Sequence, residues 1–211
     1  MCLLQMSGRI GETHKGLKPR LATSLTIALI GILSLTANGQ PPSAGTGATG
    51  VSDTLLPRKV VVSISVVKRL FPEITGEAST GQNLTAVGKP QATRSVIYAN
   101  NDGSKKVTIT VDEYATSSDA SAAYQEAVRK SRIVPGFKPI SASNVGENAF
   151  IGTVTQGMET HIGLGALNGT LVVGATLVGY EPTPDNTANL VLLTREHERA
   201  AKTAIRPNAQ K

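Results

Sequence analysis

The chain has 211 residues, a formal net charge of +6, 40% hydrophobic residues and only 3% aromatic residues. This length allows a single domain of ordinary size once a leader is set aside, and leaves too few residues for two comfortable hydrophobic cores. The single cysteine is Cys2, so a chain that has lost its leader can hold no disulfide, no thiolate nucleophile and no cysteine-ligated metal.

Residues 1–39 have the three parts of a secretory signal peptide. Basic residues precede an uncharged apolar run at 21–35, and Ala37 and Gly39 supply the small side chains that a signal peptidase reads. As a helix the apolar run would measure about 22 Å, which is short of the ~30 Å hydrocarbon core of a membrane. We therefore predict cleavage after Gly39 and release into the periplasm or the extracellular space. An uncleaved N-terminal membrane anchor is the alternative.

The basic charge belongs partly to this leader. Its removal leaves 17 basic and 14 acidic residues, so that the net charge falls to +3. The remaining charges are scattered and lack the clustered stripe with aromatic partners that nucleic-acid binding uses. We predict no nucleic-acid partner, and membrane contact only through the signal segment if it stays uncleaved.

The rest of the chain divides by composition. Residues 40–54 are rich in Gly, Pro, Ser and Thr and are predicted to be a disordered linker. Residues 55–204 are predicted to form one domain, and residues 205–211 a disordered polar tail.

The first half of the domain is predicted to contain a helix, a hairpin and a second helix. Apolar residues at positions 60, 64, 67 and 71 follow helical spacing and indicate a first helix that ends at Pro72, with a loop at 75–92. Strands at 93–99 and 105–113 form the hairpin, because the second alternates apolar and polar residues. Ser117 or Ser118 is expected to cap a helix that runs to about Ile133.

The stretch 148–180 is predicted to be a three-stranded meander with turns at Gln156-Gly157 and Asn168-Gly169. If each pair forms a two-residue loop, Leu167 faces Thr170 and Phe150 faces Gly163. Thr183 and Pro184 then mark the start of a closing helix.

This register separates the meander into an apolar core face and a second face made mostly of glycine. Two interpretations of the second face are open. The functional one is a groove formed by Phe150, Gly152, His161, Gly163, Gly165, Gly174 and Thr176. The structural alternative, which we favour, is that these glycines permit sheet curvature or close contact with another element, with Phe150 covering them.

The element order predicts an α+β fold: a two-layer sandwich in which two or three helices pack on one face of an antiparallel sheet of about five strands.

The run from Ser95 to Ala201 contains the ladder Asn-Gly-Thr-Leu-Val-Val-Gly-Ala-Thr-Leu at 168–177 and an alanine-rich closing helix. It resembles exported bacterial sensor-type domains, namely the extracellular sensor domains of mycobacterial serine/threonine kinases and related small lipoproteins. This resemblance implies a binding or sensing module without catalytic residues. Those domains are typically stapled by disulfides, which this domain lacks.

No catalytic or cofactor motif is present in the sequence. His161 and His197 lack metal-ligand spacing, no Gly-x-Ser-x-Gly occurs, and no phosphate-binding glycine loop is found, so we predict no cofactor and no metal. The favoured function is an exported, non-catalytic binding or sensor-like module for an unknown small molecule, envelope component or protein. A structural or protein-interaction domain is the alternative. An envelope hydrolase is third, with candidate nucleophiles Ser63, Ser65, Ser141 and Ser143.

Overall fold

A computed structural model describes residues 54–141 and 148–205. The predicted signal peptide, nearly all of the linker and Ser143 lie outside these ranges. The strands are β1 (Gly76–Gly81), β2 (Ala92–Ala99), β3 (Lys106–Glu113), β4 (Lys138–Ile140), β5 (Asn148–Gln156), β6 (Glu159–Asn168) and β7 (Leu171–Val178). The helices are a 3-10 turn (Arg58–Val60), α1 (Ile64–Leu70), α2 (Ser117–Arg132) and α3 (Pro184–Ile205).

The seven strands form one antiparallel sheet in the order β1-β2-β3-β7-β6-β5-β4. The α+β class, the hairpin and the meander are confirmed, and the pairing of β3 with β7 joins hairpin to meander. The sequence predicted about five strands, whereas the sheet has seven, because the two edge strands β1 and β4 were not predicted. Sequence patterns missed β1, inside the predicted loop at 75–92, because an exposed edge strand needs no apolar alternation. The other missed strand, β4, is only three residues long.

The first predicted helix is divided in two. Val61 has extended backbone angles, which end the 3-10 turn before α1 begins. The β-branched residues here favour such a conformation. The Tyr98 hydroxyl fixes the break by donating to the Val62 carbonyl oxygen at 2.7 Å. The apolar stripe is still buried, since Val60, Val67 and Phe71 are each at most 1% exposed.

The ends of the two longer helices follow from their caps. Thr116, one residue before the predicted serines, caps α2, because its hydroxyl accepts from the Asp119 amide at 3.1 Å. Thr183 caps α3 as predicted and accepts from the Asn186 amide at 3.2 Å. The helix α3 then continues to Ile205, the first residue of the predicted tail.

The strand register of the meander differs from the prediction at both turns. Asn168 pairs with Leu171 and Phe150 pairs with Gly165, so each strand is displaced by two residues relative to its partner. Asn168 stays in the ladder, where its side-chain amide donates to the Glu198 carboxylate on α3. A displacement by two leaves every side chain on its predicted face, because side chains alternate with a period of two.

Helices cover both faces of the sheet, which corrects the prediction that all helices pack on one face. The first face carries the main core and packs against the 3-10 turn, α1 and α3. The second face packs against α2 through a smaller cluster that includes Tyr114, Tyr124, Leu167 and Val172. No helix within residues 54–141 and 148–205 is long and apolar enough to cross a membrane.

Candidate functional site

Two rows of paired residues cross the second face from β5 to β1. The first row consists of Phe150, Gly165, Gly174, Thr110, Ser95 and Gly81. The second row consists of Gly152, Gly163, Thr176, Thr108, Ile97 and Ser79. Six of the seven residues of the predicted groove therefore lie in these rows, on β5, β6 and β7. The same rows continue as side chains of a different kind, mostly hydroxyls, on β3, β2 and β1.

The glycine half of the rows is covered by protein. Helix α2 packs on β6 and β7, and Phe137 stacks on Phe150 with ring centroids 5.3 Å apart. The glycines at 152, 163, 165 and 174 are all buried. The structure thus brings the predicted residues together beneath these aromatic and helical groups. This geometry matches the structural alternative, in which glycine permits close contact with another element.

His161, the seventh predicted residue, lies one row further along β6, opposite Val178. Its side chain is buried at 2% exposure, and its Nε2 is 3.7 Å from the carboxylate of the exposed Glu159. Within the described residues its Nδ1 has no hydrogen-bond partner. No group of three or more potential metal ligands occurs in residues 54–141 and 148–205.

Gly152 should not tolerate a larger side chain while Phe137 is present. A Cβ at this position would lie 2.2 Å from the Phe137 ring, so Gly152→Ala must displace the ring. We expect the substitution to lower the free energy of unfolding by about 1–3 kcal/mol. Urea unfolding of both single variants and the double variant measures the coupling. Equal destabilisation by Gly152→Ala with and without Phe137→Ala would contradict this account.

A cavity of about 340 Å³ opens on the hydroxyl half of the rows. Its floor is formed by β2 and β3 and one side by β1, while the segment after β1 forms the rim. The lining residues are Ser79, Thr80, Gly81, Gln82, Asn83, Leu84, Thr85, Ser95, Ile97, Thr108 and Thr110. None of these eleven side chains carries a charge. The volume lies at the lower end of the range for small-molecule sites, which is about 300–1,000 Å³.

Thr108 on the cavity floor has an unsatisfied hydroxyl. The residue is only 4% exposed, and its Oγ1 has no hydrogen-bond partner among the described residues. A buried polar group in this state costs about 1–3 kcal/mol. Thr110, two residues along the same strand, presents a second hydroxyl on the same face. The floor therefore offers hydrogen-bonding capacity that the protein itself does not use.

Asn83 connects the cavity rim to a buried carboxyl group. Its Nδ2 donates to both carboxylate oxygens of Asp112, at 2.9 and 2.8 Å, and its backbone amide donates to the Thr93 hydroxyl at 3.1 Å. Asp112 is 3% exposed, and burial raises its pKa to about 7, although the Asn83 hydrogen bonds oppose this rise. Tyr114, two residues along β3, has a pKa raised by burial and by the nearby Asp112 charge.

A second, larger cavity of about 540 Å³ lies between the 3-10 turn, α1 and the end of α3. Its rim carries the charged residues Lys59, Glu196 and Arg199, and its floor includes Val62 and Ala200. Among the described residues, none of the buried polar atoms that lack a partner belongs to its lining. Unlike the cavity above β2 and β3, this cavity therefore has no unpartnered buried polar atom among its described lining residues that a ligand could satisfy.

Neither Ser63 nor Ser65, two of the nucleophiles considered from the sequence, hydrogen-bonds a histidine or a carboxylate among the described residues. The Ser63 and Ser65 hydroxyls contact each other at 2.7 Å on the surface. His197 is fully buried on the first face, where its ring Nε2 hydrogen-bonds the Thr110 carbonyl oxygen at 2.8 Å. Burial lowers the pKa of His197 to about 4. A neutral, enclosed imidazole of this kind serves packing.

Sequence reasoning missed the cavity because its rim comes from the predicted loop at 75–92. The alternation of Thr108, Thr110 and Asp112 with valine and isoleucine indicated a half-buried strand, and the structure places these polar residues on the second face. This stripe of polar residues continues into the predicted residues Gly174 and Thr176 on β7. The sequence analysis did not predict β1, the strand that positions the cavity rim above these polar residues.

Comparisons with known proteins find resemblance among solved structures, and not among family models or curated proteins. No protein-family model matches the chain, and no curated protein matches it. Among solved structures, the extracellular domain of PknH from Mycobacterium tuberculosis matches with a TM-score of 0.45 and 12% sequence identity. The match covers 66% of this chain and 93% of that domain. The predicted weak resemblance to mycobacterial sensor-type domains is confirmed at this level.

Proposed function

We propose that the chain is an exported, non-catalytic binding or sensor-like module of the bacterial cell envelope, and that a small molecule binds in the cavity above β2 and β3. The observation that carries this proposal is the buried Thr108 hydroxyl without a partner on the floor of an uncharged cavity. The Oγ1 atom is enclosed, so the hydroxyl must turn toward the cavity for a bound ligand to satisfy it. The sequence of residues 1–39 supports export.

Two features favour binding over catalysis. The cavity lining contains hydroxyl and amide groups but no imidazole, carboxylate or amine that could act as a general base. The buried Asp112 lies behind the rim, where both its oxygens accept from Asn83. A hydrolase would need a nucleophile and a base in contact.

The two sheet edges favour a binding module over an interaction domain that self-associates through strands. The edge strand β1 is interrupted by an irregularity between Glu77 and Ser79. The other edge, β4, has three residues, one of which is Pro139. Bulges, prolines and short length are the features by which proteins block edge-to-edge pairing.

Ligand binding at the cavity can be tested with a variant that fills it. Gly81 lines the cavity, and a Cβ built on it meets nothing within 4 Å, so Gly81→Leu can add a side chain without strain. The purified full chain is screened by thermal shift against a fragment library with neutral polar, anionic, cationic and apolar members. We expect hits whose affinity falls at least tenfold in Gly81→Leu, since the leucine occupies their volume.

Gly76→Leu is the matched control. Gly76 lies at the other end of the same strand, outside the cavity, and its Cβ also meets nothing within 4 Å. The control should bind every hit as the parent chain does. The proposal fails if no library member binds, or if the hits bind Gly81→Leu and Gly76→Leu equally well.

A further inference from the structure

We propose that the cavity above β2 and β3 selects a neutral polyhydroxylated ligand, a sugar or cyclic polyol of mono- or disaccharide size. This inference rests on the proposed function and adds the chemical class of the ligand. It is argued from the charge, the arrangement of hydroxyls and the apolar contacts of the lining.

The charge distribution disfavours an anionic ligand. All the lining side chains are uncharged. The Arg94 guanidinium does not line the cavity, and it already donates to the Leu56 carbonyl oxygen and to the hydroxyl of the lining residue Thr80. The carboxyl group of Asp112 lies behind Asn83 at hydrogen-bond distance. A phosphate or carboxylate would therefore meet no positive charge in the cavity and a buried acidic group beside it. Anion sites are built from cations or from aligned backbone amides.

The same carboxyl group is poorly placed to recognise a cation. Asp112 does not line the cavity, and both of its oxygens already accept from the Asn83 amide. A ligand ammonium would have to displace Asn83, which also holds the rim through the Thr85 amide and hydroxyl at 3.2 and 2.6 Å. Recognition is thus left to neutral groups.

The hydroxyls of Ser79, Ser95, Thr108 and Thr110 are distributed over three neighbouring strands on one face. Adjacent strands lie about 4.8 Å apart, and residues two apart on a strand are separated by about 6.7 Å. Each hydroxyl both donates and accepts. A flat array with these spacings suits a small ring that carries hydroxyls on several edges, because each ligand hydroxyl also donates and accepts.

Apolar contacts complete the recognition of such a ring. Ile97 lies on the floor between Thr108 and Ser79 in the second row, and Leu84 stands on the rim at 75% exposure. These two side chains can cover the carbon-bound hydrogens of a sugar while the hydroxyls bind its edges. The cavity volume of about 340 Å³ accommodates one or two such rings.

The class of ligand can be tested by NMR titration of the purified full chain. The neutral probes are glucose, maltose and myo-inositol, and their charged counterparts are glucose 6-phosphate, glucuronate and glucosamine. Methyl signals of Ile97 and Thr108 report binding in the cavity. We expect the neutral probes to shift these signals at millimolar concentrations, and the charged counterparts to bind at least fivefold more weakly.

Thr108→Val removes the floor hydroxyl and nearly conserves its volume. We expect it to weaken binding of the neutral probes about tenfold. Thr155→Val, the same change at an exposed strand position, should leave binding unaltered. Tighter binding of any charged counterpart, or equal sugar binding by Thr108→Val and the parent chain, would overturn the inference. If sugars fail while other library members bind and are excluded by Gly81→Leu, only the ligand class is wrong; if nothing binds, the proposed function fails as well.

Discussion

Asp112→Asn should raise the free energy of unfolding by about 4 kcal/mol at neutral pH and have little effect near pH 4. In the folded protein the carboxyl group keeps its proton up to a pKa of about 7, whereas its ordinary value of 3.8 applies in the unfolded chain. Between these values the folded state binds more protons, so stability falls as pH rises through this window. The difference between a pKa of 3.8 and a pKa of about 7 corresponds to about 4 kcal/mol. Asparagine has no charge to bury and can still accept from Asn83.

The measurement is urea unfolding of the parent chain and the variant from pH 4 to pH 8. The two stability curves should diverge with rising pH and become parallel above pH 7. Curves that stay parallel over the whole range would show that the Asp112 carboxylate is not destabilised by burial.

His197 provides a control with the opposite slope. Its pKa is lowered from 6.5 to about 4, so the unfolded chain binds a proton that the folded chain excludes, and stability falls as pH drops from 6.5 to 4. In the parent chain this slope opposes that of Asp112. In Asp112→Asn, where only the His197 effect remains, the free energy of unfolding should therefore rise from pH 4 to pH 6.5 and then stay constant. His197→Gln keeps a donor for the Thr110 carbonyl oxygen. In this variant the free energy of unfolding should only fall with rising pH, because the Asp112 effect alone remains.

Gly179→Ala should lower the free energy of unfolding by about 4 kcal/mol. Gly179 has a φ of +77°, and a Cβ at this position would lie 2.0 Å from the Ser104 carbonyl oxygen. A left-handed conformation costs an L-residue about 1–2 kcal/mol, and the contact with rigid backbone adds an overpacking penalty of about 1–3 kcal/mol. Urea unfolding at constant pH measures the loss.

Gly103→Ala separates these two contributions. Gly103 has a similar φ of +71°, but its Cβ would meet nothing within 4 Å. This control should lose only about 1–2 kcal/mol. Equal losses of stability at the two positions would show that the backbone at Ser104 moves away from the new Cβ without penalty. That result would contradict the predicted steric contribution at Gly179.

The parts of the fold that the sequence predicted are those with strong local patterns. Alternation of valine and isoleucine with threonine marked β3, and Thr183 with Pro184 marked the start of α3. The register of the meander was displaced at both turns. At the β5–β6 turn Gln156 stays in the ladder, opposite Glu159. At the β6–β7 turn Asn168 stays in the ladder, and its side chain contacts Glu198 on a distant helix. Local turn preference could not include that contact. The faces were nonetheless correct, since the displacement was even.

The candidate site was harder to predict because its signal is divided between distant segments. The glycines of β6 and β7 are conspicuous in the sequence, yet α2 and Phe137 cover their part of the face. The hydroxyl half of the same rows needs β1, whose composition resembles a loop. A polar alternating strand such as β3 can border either solvent or a cavity, and only the position of the rim decides between them.

The seam between β3 and β7 separates two parts of the sheet that are each continuous in sequence. Strands β1 to β3 and β5 to β7 are formed from neighbouring segments, whereas Thr110 and Gly174 meet only after a long loop closes. Cooperative opening units often coincide with supersecondary motifs that are continuous in sequence, so the seam is the boundary at which the two parts of the sheet are expected to separate in subglobal opening. The cavity floor lies against this seam. A ligand in the cavity would therefore slow the hydrogen exchange of the backbone amides that pair β3 with β7, including amides that the ligand does not contact.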